Sequence, residues 1–292
     1  MIDTLGYHTS PPVFLPDPVA RHHPLNRQRL AWWLALPGLD GGNKWYDIVG
    51  QNHGTLIGMT SGTEGWRSTT RPGGQGHVIQ TGAGYTRIAT AVPASLQVGS
   101  AFSVAGWINS TSNTNYNYII GASNFATDLY GFEFAIVTNG KPFFYVNGSA
   151  TGSYLTSASA LPLNTWQRIV AVADGTNQYI YVNGVQVATK AQTQNPAWGN
   201  AYPLFIGGEA TGIAGAPNPG TISNAAMDDV SIWGRGLSPT DVKADYDLSR
   251  LGYPGVLNRF APTLTGPTGI FFRRMLDSRV GSRSPRIGFG GL

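Results

Sequence analysis

The sequence contains no cysteine and few charged residues. Without cysteine, disulfide bonds cannot hold the fold together, and a cysteine nucleophile is excluded. Only 12% of the residues are charged, whereas ordinary domains contain about 25%. No apolar run approaches the roughly 18 residues that a membrane-spanning helix requires. The chain must therefore fold around an apolar core, and 41% hydrophobic residues suffice for one.

An export signal is also missing from the start of the sequence. The first residues, 1–4, do not form the basic start that leads into the apolar core of a secretion signal. We therefore expect the protein to act inside the cell, to leave by another route, or to leave as part of a particle.

Catalytic signatures are absent as well. Glycoside hydrolysis needs two carboxyl groups about 5–10 Å apart. None of the three glutamates has an acidic neighbour two or four residues away: Glu64, Glu133 and Glu209. We expect Glu133 to face solvent, and the adjacent Asp228 and Asp229 to point to opposite faces of a strand. The five histidines lack metalloprotease spacing, and the glycine-rich runs are typical of turns. The sequence thus predicts a protein that is not an enzyme, with a glycosidase using Glu133 as a distant alternative.

What the chain does contain are turn formers and short apolar segments. There are 39 glycines and 19 prolines, and apolar segments recur roughly every ten residues without a long helical pattern. Residues 166–173 show little polar alternation, as expected of a strand buried on both faces. Residues 143–146 and 179–182 each run into Asn-Gly, a strong hairpin signal. These patterns predict an all-β sandwich.

Residues 226–242 predict a strand, a tight turn and a short helix. Val230 and Ile232 would share one face of the strand, and Trp233 would lie on the other. Ser238 has the character of an N-cap, because a proline follows it and an aspartate stands at the third helical position.

This stretch, with paired acids, a tryptophan, a turn and Leu-Ser-Pro, resembles the closing segment of the laminin-G-like, concanavalin-A-like jelly-roll family. A Trp-Trp strand at 32–33, then Asp47, then Asn-His-Gly-Thr-Leu at 52–56 resemble the opening of the same family. The resemblance covers roughly residues 28–250. It implies a concanavalin-A-like jelly-roll β-sandwich.

Two proline-containing arms flank the predicted sandwich. We divide the chain into an N-terminal arm at 1–26, a sandwich at 27–250 and a C-terminal arm at 251–292. Steps into proline keep the N-terminal arm extended. The last 20 residues are basic, with five arginines opposed by a single aspartate: Arg273, Arg274, Arg279, Arg283 and Arg286. Binding to nucleic acid, docking into an acidic groove of a partner subunit, and a solvated tail are all consistent with this charge. Interleaved apolar residues favour docking.

The family resemblance implies a calcium ion at the rim of the sandwich. Calcium takes six to eight oxygen ligands. Asp47 and Asp228 match the family positions best, with Asp40 and Asn52 as further ligands. The alternative is that Asp47 caps a turn and that Asp228 accepts hydrogen bonds from loop N–H groups.

Sugar binding would require exposed aromatic side chains beside amides. One candidate loop contains Tyr116, Asn117 and Tyr118, and a second contains Trp198 and Asn200. Ordinary turns of a sandwich have the same composition, so both interpretations stay open.

Members of the resembled family are mostly binding modules, often for carbohydrate, and they recur in larger proteins and in bacteriophage particles. Together with the arms, this suggests a structural protein of a virion, such as a capsid decoration or tail-associated subunit. Its arms would dock on neighbouring subunits, and its sandwich would offer contacts to glycans. The alternative is a free bacterial lectin-like protein, located in the cytoplasm or exported by a non-classical route.

Overall fold

A computed structural model describes residues 19–35, 42–59, 65–67, 71–74, 77–81, 84–89, 91–122, 131–147, 154–198, 203–209, 222–254 and 256–257. The strands, in chain order, are β1 (Arg29–Trp33), β2 (Lys44–Trp45), β3 (Gly54–Ile57), β4 (Gly65–Arg67), β5 (His77–Thr81), β6 (Tyr85–Ala89), β7 (Ala101–Ser110), β8 (Asn117–Gly121), β9 (Phe132–Ile136), β10 (Pro142–Val146), β11 (Tyr154–Thr156), β12 (Gln167–Asp174), β13 (Asn177–Val182), β14 (Val185–Ala191), β15 (Leu204–Ile206) and β16 (Asn224–Trp233). One α-helix, α1 (Pro239–Ser249), and two 3-10 helices, Pro24–Asn26 and Ala94–Leu96, complete the described elements.

The described strands form two antiparallel sheets. Sheet A has the order β14-β13-β12-β7-β16-β5-β4, and β1 pairs with β16 beyond the end of β5. Sheet B has the order β11-β10-β9-β8-β15-β6-β3-β2. Neighbours in each sheet are often distant in sequence, as in a jelly roll. The predicted all-β sandwich is confirmed.

The core lies between the sheets, and strand alternation creates it. In β9, Phe132, Phe134 and Ile136 point into the core. Across the sandwich, Val230 and Ile232 of β16 do the same, while Trp233 lies in a separate cluster on the outer face of sheet A. The predicted orientation of these three residues of β16 is confirmed.

One of the two predicted Asn-Gly hairpins has the tight two-residue turn that its sequence favours. Between β13 and β14, Asn183 and Gly184 have φ values of 52° and 81°, in the left-handed region that a two-residue hairpin turn requires. Asn147 follows β10, but β11 begins only at Tyr154. This second pair of strands is therefore a hairpin with a longer connection.

Helix α1 begins where the sequence places its start. The Ser238 side chain accepts a hydrogen bond from the backbone of Asp241, and the Asp241 side chain accepts one from the backbone of Ser238, which forms a capping box. The helix buries Val242 against Val170 and Trp233 on the outer face of sheet A. None of the helices in the described part of the chain has the length and apolarity to cross a membrane.

Parts of both predicted arms pack on sheet A. Val19, Leu25, Tyr253 and Val256 join Trp32 in one buried cluster, and the backbone N–H of Ala20 donates to Val256 O at 3.0 Å. Residues 1–18 and 258–292, including the five arginines of the tail, lie outside the described residues. The domain boundaries therefore stay a prediction.

Candidate functional site

The outer face of sheet B carries tyrosines and glutamates. Because side chains alternate along a strand, the inward direction of Phe134 and Phe144 turns Glu133 of β9 and Tyr145 of β10 outward. We call this surface the tyrosine–glutamate face, and its residues are Tyr116, Tyr118, Glu133, Tyr145, Tyr154 and Glu209.

Strand register sets the spacing on this face. Glu133 stands opposite Tyr145 on one side and Gly121 on the other. A Cβ atom on Gly121 would lie 3.5 Å from Cγ of Glu133, which is an ordinary van der Waals distance. The rings of Tyr116 and Tyr118 stack with centroids 5.8 Å apart.

Glu133 does not face solvent, so this prediction was wrong. Its exposed fraction is 0%, although it occupies an outward position of β9. The cause is the size of its neighbours, because Tyr118 and Tyr145 on the flanking strands are also buried. Large neighbouring side chains can thus bury an outward-facing strand position.

Glu209, which follows β15, meets Glu133 around Tyr118. Burial raises the pKa of Tyr118 well above its ordinary value, and the negative charges of Glu133 and Glu209 and a hydrogen bond with Glu209 raise it further. Burial also raises the pKa of Tyr116, and the negative charges of Glu209 and Glu133 raise it by smaller amounts. Both tyrosines thus keep their hydroxyl protons, and two carboxyl groups lie beside them.

Sequence reasoning missed this meeting of two glutamates. Residues 133 and 209 lie on different strands, and no local pattern relates them. Only the placement of β8 between β9 and β15 brings the two side chains to the same tyrosine.

The exposed part of the face is aromatic. Tyr154 on the edge strand β11 is 38% exposed, and its ring packs 5.3 Å from that of Phe143. Tyr116 is half-buried. A flat apolar surface beside acidic hydrogen-bond acceptors is chemically suited to a polyhydroxylated ligand.

The residues predicted to bind sugar fall into different environments. Tyr116 and Tyr118 belong to the tyrosine–glutamate face, but the Asn117 amide is used internally, since it donates to Ser112 O at 2.7 Å and accepts from the Asn224 N–H. Trp198 packs on the core against Phe132 and donates to Val98 O at 2.9 Å. Asn200 lies outside the described residues.

The first predicted calcium ligand, Asp47, is surrounded by donors. Its Oδ1 accepts from the backbone N–H groups of Trp32, Val49 and Gly50 at 2.9–3.0 Å. Its Oδ2 accepts from the backbone and side chain of Asn52, a second predicted ligand. These contacts correspond to the alternative in which Asp47 caps a turn.

Asp228, the other main predicted ligand, is used in a similar way. Its Oδ1 accepts from Ala35 N and Asp229 N, and its Oδ2 accepts from Arg71 Nε at 2.7 Å. Among the residues that the structure describes, no three or more His, Cys, Asp or Glu side chains form a metal-binding group. Asp40 lies outside the described residues, and the calcium site stays a prediction.

The two adjacent aspartates of β16 do not point to opposite faces, so this prediction was also wrong. Asp229 has φ of 56°, and the register of β16 shifts between Asp228 and Ser231. This β-bulge breaks the alternation. Both carboxylates consequently lie on the outer side of sheet A, where Asp228 binds Arg71 and Asp229 accepts hydrogen bonds from Trp32 Nε1 and Tyr253 Oη.

These aspartates belong to a buried network of three arginines and three aspartates. Its members are Arg29, Arg71, Arg168, Asp228, Asp229 and Asp245. Burial alone would lower the pKa of Arg168, but Asp229 and Asp245 outweigh it and raise that pKa. Burial raises the pKa of Asp229 against the opposing effect of Arg168. The network holds α1 and the residue 253 segment on sheet A, so its role is structural.

Comparisons with known proteins agree with the fold. A laminin G family model, described as the Concanavalin A-like lectin/glucanases superfamily, matches residues 80–243. The comparison with curated proteins finds no match.

Similar solved structures include domain 4 of AbnA, a GH43 extracellular arabinanase from Geobacillus stearothermophilus, in complex with arabinotriose. It is 14% identical with a TM-score of 0.52, covering 74% of this chain and 97% of that chain. The binding domain of Paraclostridial Mosquitocidal Protein 1 is 12% identical with a TM-score of 0.54, covering 79% and 56%. The binding domain of Botulinum Neurotoxin DC, in complex with SialylT, is 12% identical with a TM-score of 0.53, covering 77% and 52%. The chain thus spans little more than half of the two toxin chains.

Identities this low show a shared fold. The family match covers more than half of the chain, in agreement with the two sheets described above. The chain belongs to the concanavalin A-like lectin/glucanase superfamily.

Proposed function

We propose that this protein is a non-enzymatic carbohydrate-binding protein and that the tyrosine–glutamate face is its sugar site. The observation that carries the proposal is the exposed Tyr154 ring, which lies in an aromatic strip beside two glutamates. The aromatic rings would stack on the apolar face of a sugar ring. Carboxylate oxygens such as those of Glu209 would accept hydrogen bonds from its hydroxyl groups.

The shared fold supports this proposal without identifying the sugar. The arabinanase domain was solved with arabinotriose, and the neurotoxin binding domain with SialylT. Both have the same sandwich as this chain. We base the proposed function on two features together, the lectin-like sandwich and its aromatic and acidic outer face.

A glycan array with the full chain tests the proposal, followed by titration of the best glycan. Tyr154→Ala should weaken that binding about fivefold or more, since truncating an aromatic contact of this kind costs more than about 1 kcal/mol. Tyr179→Ala is the matched control, because Tyr179 lies on the outer face of sheet A. An array without binding, or equal losses in both variants, would contradict the proposed site.

We propose calcium binding separately, and the same glycan array tests it. If a calcium ion at Asp47 and Asp228 supports sugar binding, chelation with EDTA lowers the signal and added calcium restores it. Binding that is unchanged by EDTA would rule out this dependence and leave the sugar site in place.

A glycosidase is the second candidate, and the meeting of Glu133 and Glu209 at Tyr118 favours it. Paired carboxyl groups are what glycoside hydrolysis requires. Chromogenic aryl glycosides measure turnover directly. Turnover that disappears in Glu133→Gln would establish an enzyme, whereas turnover that survives this change would remove Glu133 from the chemistry.

We further propose that the protein is a structural subunit of a virion, attached to neighbouring subunits by its arms. The support comes from the sequence, in the proline-containing ends and the five spaced arginines of the tail. Arms can hold neighbouring subunits if docking offsets the loss of chain entropy. Deleting residues 259–292 should abolish incorporation into particles while the sandwich stays folded. Unchanged incorporation would reject this role.

A further inference from the structure

The segment that precedes β1 forms one wall of a cavity of about 250 Å³. The cavity is lined by Val19, Arg21, Asn26, Arg27, Gln28, Arg29 and Val49. Among these described lining residues, Arg21 and Arg27 are exposed cations, and none is acidic. We propose that this cavity binds an anionic group, namely a sulfate, a phosphate or a carboxylate. The inference does not rest on the proposed sugar site, which lies on the other sheet.

The wall of the cavity is held in place by hydrogen bonds from the rest of the fold. Asn26 Nδ2 donates to Ala20 O at 2.8 Å and to Val256 O at 2.9 Å. The guanidinium of Arg235 donates to the carbonyls of Pro24 and Arg27, each at 3.1 Å. A wall fixed in this way loses little entropy when a ligand binds.

Three carbonyl groups of this wall accept hydrogen bonds from the rest of the fold. Besides Pro24 and Arg27, Gln28 contributes its carbonyl, which accepts from Gly234 N at 2.8 Å. Arg27 and Gln28 are exposed residues of the cavity lining. Gln28 itself has φ of 54°, a left-handed conformation that reverses the chain between the 3-10 helix and β1. The side-chain donors of Arg27 and Gln28 therefore stand at the cavity, while these three carbonyl acceptors are already used.

Arg29 contributes only its backbone to the lining, because its side chain is fully buried. Its guanidinium stacks between Trp32 and Trp233, with its central carbon 3.8 Å and 4.4 Å from the ring centroids. Within the described residues its three nitrogen atoms have no hydrogen-bond partner, and its ion pair with Asp245 spans 3.6 Å. The charged side chains that line the cavity are therefore those of Arg21 and Arg27.

Size and chemistry define the ligand class. Pockets for drug-sized ligands measure about 300–1,000 Å³, so a cavity of about 250 Å³ suits a single anionic group or a small acid. Guanidinium groups match the paired oxygen atoms of sulfate, phosphate and carboxylate. The cavity would therefore recognise the acidic group of a ligand and not a long neutral chain.

Isothermal titration of the full chain at low ionic strength tests the inference with sodium sulfate, sodium phosphate and sodium glucuronate as separate probes. We expect saturable binding of at least one of them, and the probe that binds most tightly identifies the source of the charge. Arg27→Ala should weaken that binding about tenfold, the scale of a lost charge-assisted hydrogen bond. Arg250→Ala, which removes an exposed arginine of the segment after α1, should leave it unchanged.

A second variant separates a built site from general attraction to a basic surface. Val49→Phe fills space in the cavity without changing the charge, and it should also weaken binding about tenfold while the thermal unfolding temperature stays close to that of the native chain. Absence of saturable binding by all three probes would overturn the inference. Equal losses in Arg27→Ala and Arg250→Ala, or undiminished binding by a folded Val49→Phe chain, would overturn it too.

Discussion

Several charged side chains of this chain are buried and paired with one another. Arg168 is the central example, because its Nε donates to Asp245 Oδ2 at 2.8 Å and its Nη1 donates to Asp229 O at 2.6 Å. Although the chain has few charged residues, six of them are buried in this one network. The network connects β12, the bulge of β16 and helix α1.

Replacing Arg168 by methionine should destabilise the fold by about 3–5 kcal/mol, because two buried carboxylates would lose their principal cation. Urea unfolding measures the change. Arg250→Met is the control, since Arg250 is 45% exposed and its ion pair with Asp247 spans 3.5 Å. That change should cost less than about 0.5 kcal/mol. Similar costs for the two variants would show that the buried network contributes little.

His77 should make stability depend on pH. Burial, together with the positive charges of Arg67 and Arg71, lowers the pKa of His77 to about 4. The unfolded chain therefore binds a proton at about pH 6.5, which the folded chain takes up only near pH 4. The free energy of unfolding should fall by about 2 kcal/mol as the pH drops through this window.

Unfolding by urea at pH 7, 5.5 and 4.5 measures this loss. His77→Gln removes the titrating group and should reduce the slope, after allowance for the acidic residues that titrate in both proteins. An unchanged slope would show that His77 is protonated with its ordinary pKa in the folded chain.

Among the elements, helix α1 and strand β16 show how far local patterns can be trusted. The cap of α1 is formed by neighbours in sequence, so Ser238 could be identified before the structure was known. The bulge of β16 turns the Asp229 side chain to the same face of the sheet as Asp228. The regular alternation of side chains along a strand could not predict this. A strand's period is reliable only where its ladder is uninterrupted.

Removing the cap should cost about 1 kcal/mol. Ser238→Ala deletes the hydroxyl that accepts from the Asp241 N–H at 3.1 Å, which leaves a helix donor without its partner. Thr240→Ala, an exposed change one residue into the helix, is the control and should be nearly neutral. Chemical unfolding of both variants checks the prediction, and a Ser238→Ala chain as stable as the control would contradict it.

At the scale of the whole molecule, the segment after α1 completes the fold. The Tyr253 hydroxyl donates to Asp229 Oδ2 at 2.6 Å, and its ring lies 4.8 Å from that of Trp32. Val256 is fully buried in the same cluster. Buried contacts with sheet A therefore continue beyond residue 250.

Two truncations locate the C-terminal boundary of the fold. Deleting 259–292 should change the thermal unfolding temperature by less than about 3 °C, whereas deleting 253–292 should lower it by about 10 °C, because the second deletion removes several kcal/mol of buried contacts. Calorimetry of both chains gives the comparison. Equal unfolding temperatures would place the boundary at residue 250 after all.

The sequence by itself determined the features that depend on neighbours along the chain. Strand alternation, the Asn183-Gly184 turn and the cap of α1 are short-range properties, and together they predicted the sandwich, whereas the family came from a resemblance of the opening and closing segments. The tertiary structure decided which distant residues meet. Glu133 and Glu209 converge on Tyr118 because of strand order, and the contacts of Asp47 and Asp228 come from backbone N–H groups that the register brings to them. Such meetings depend on topology and on the size of adjacent side chains, which no local pattern contains.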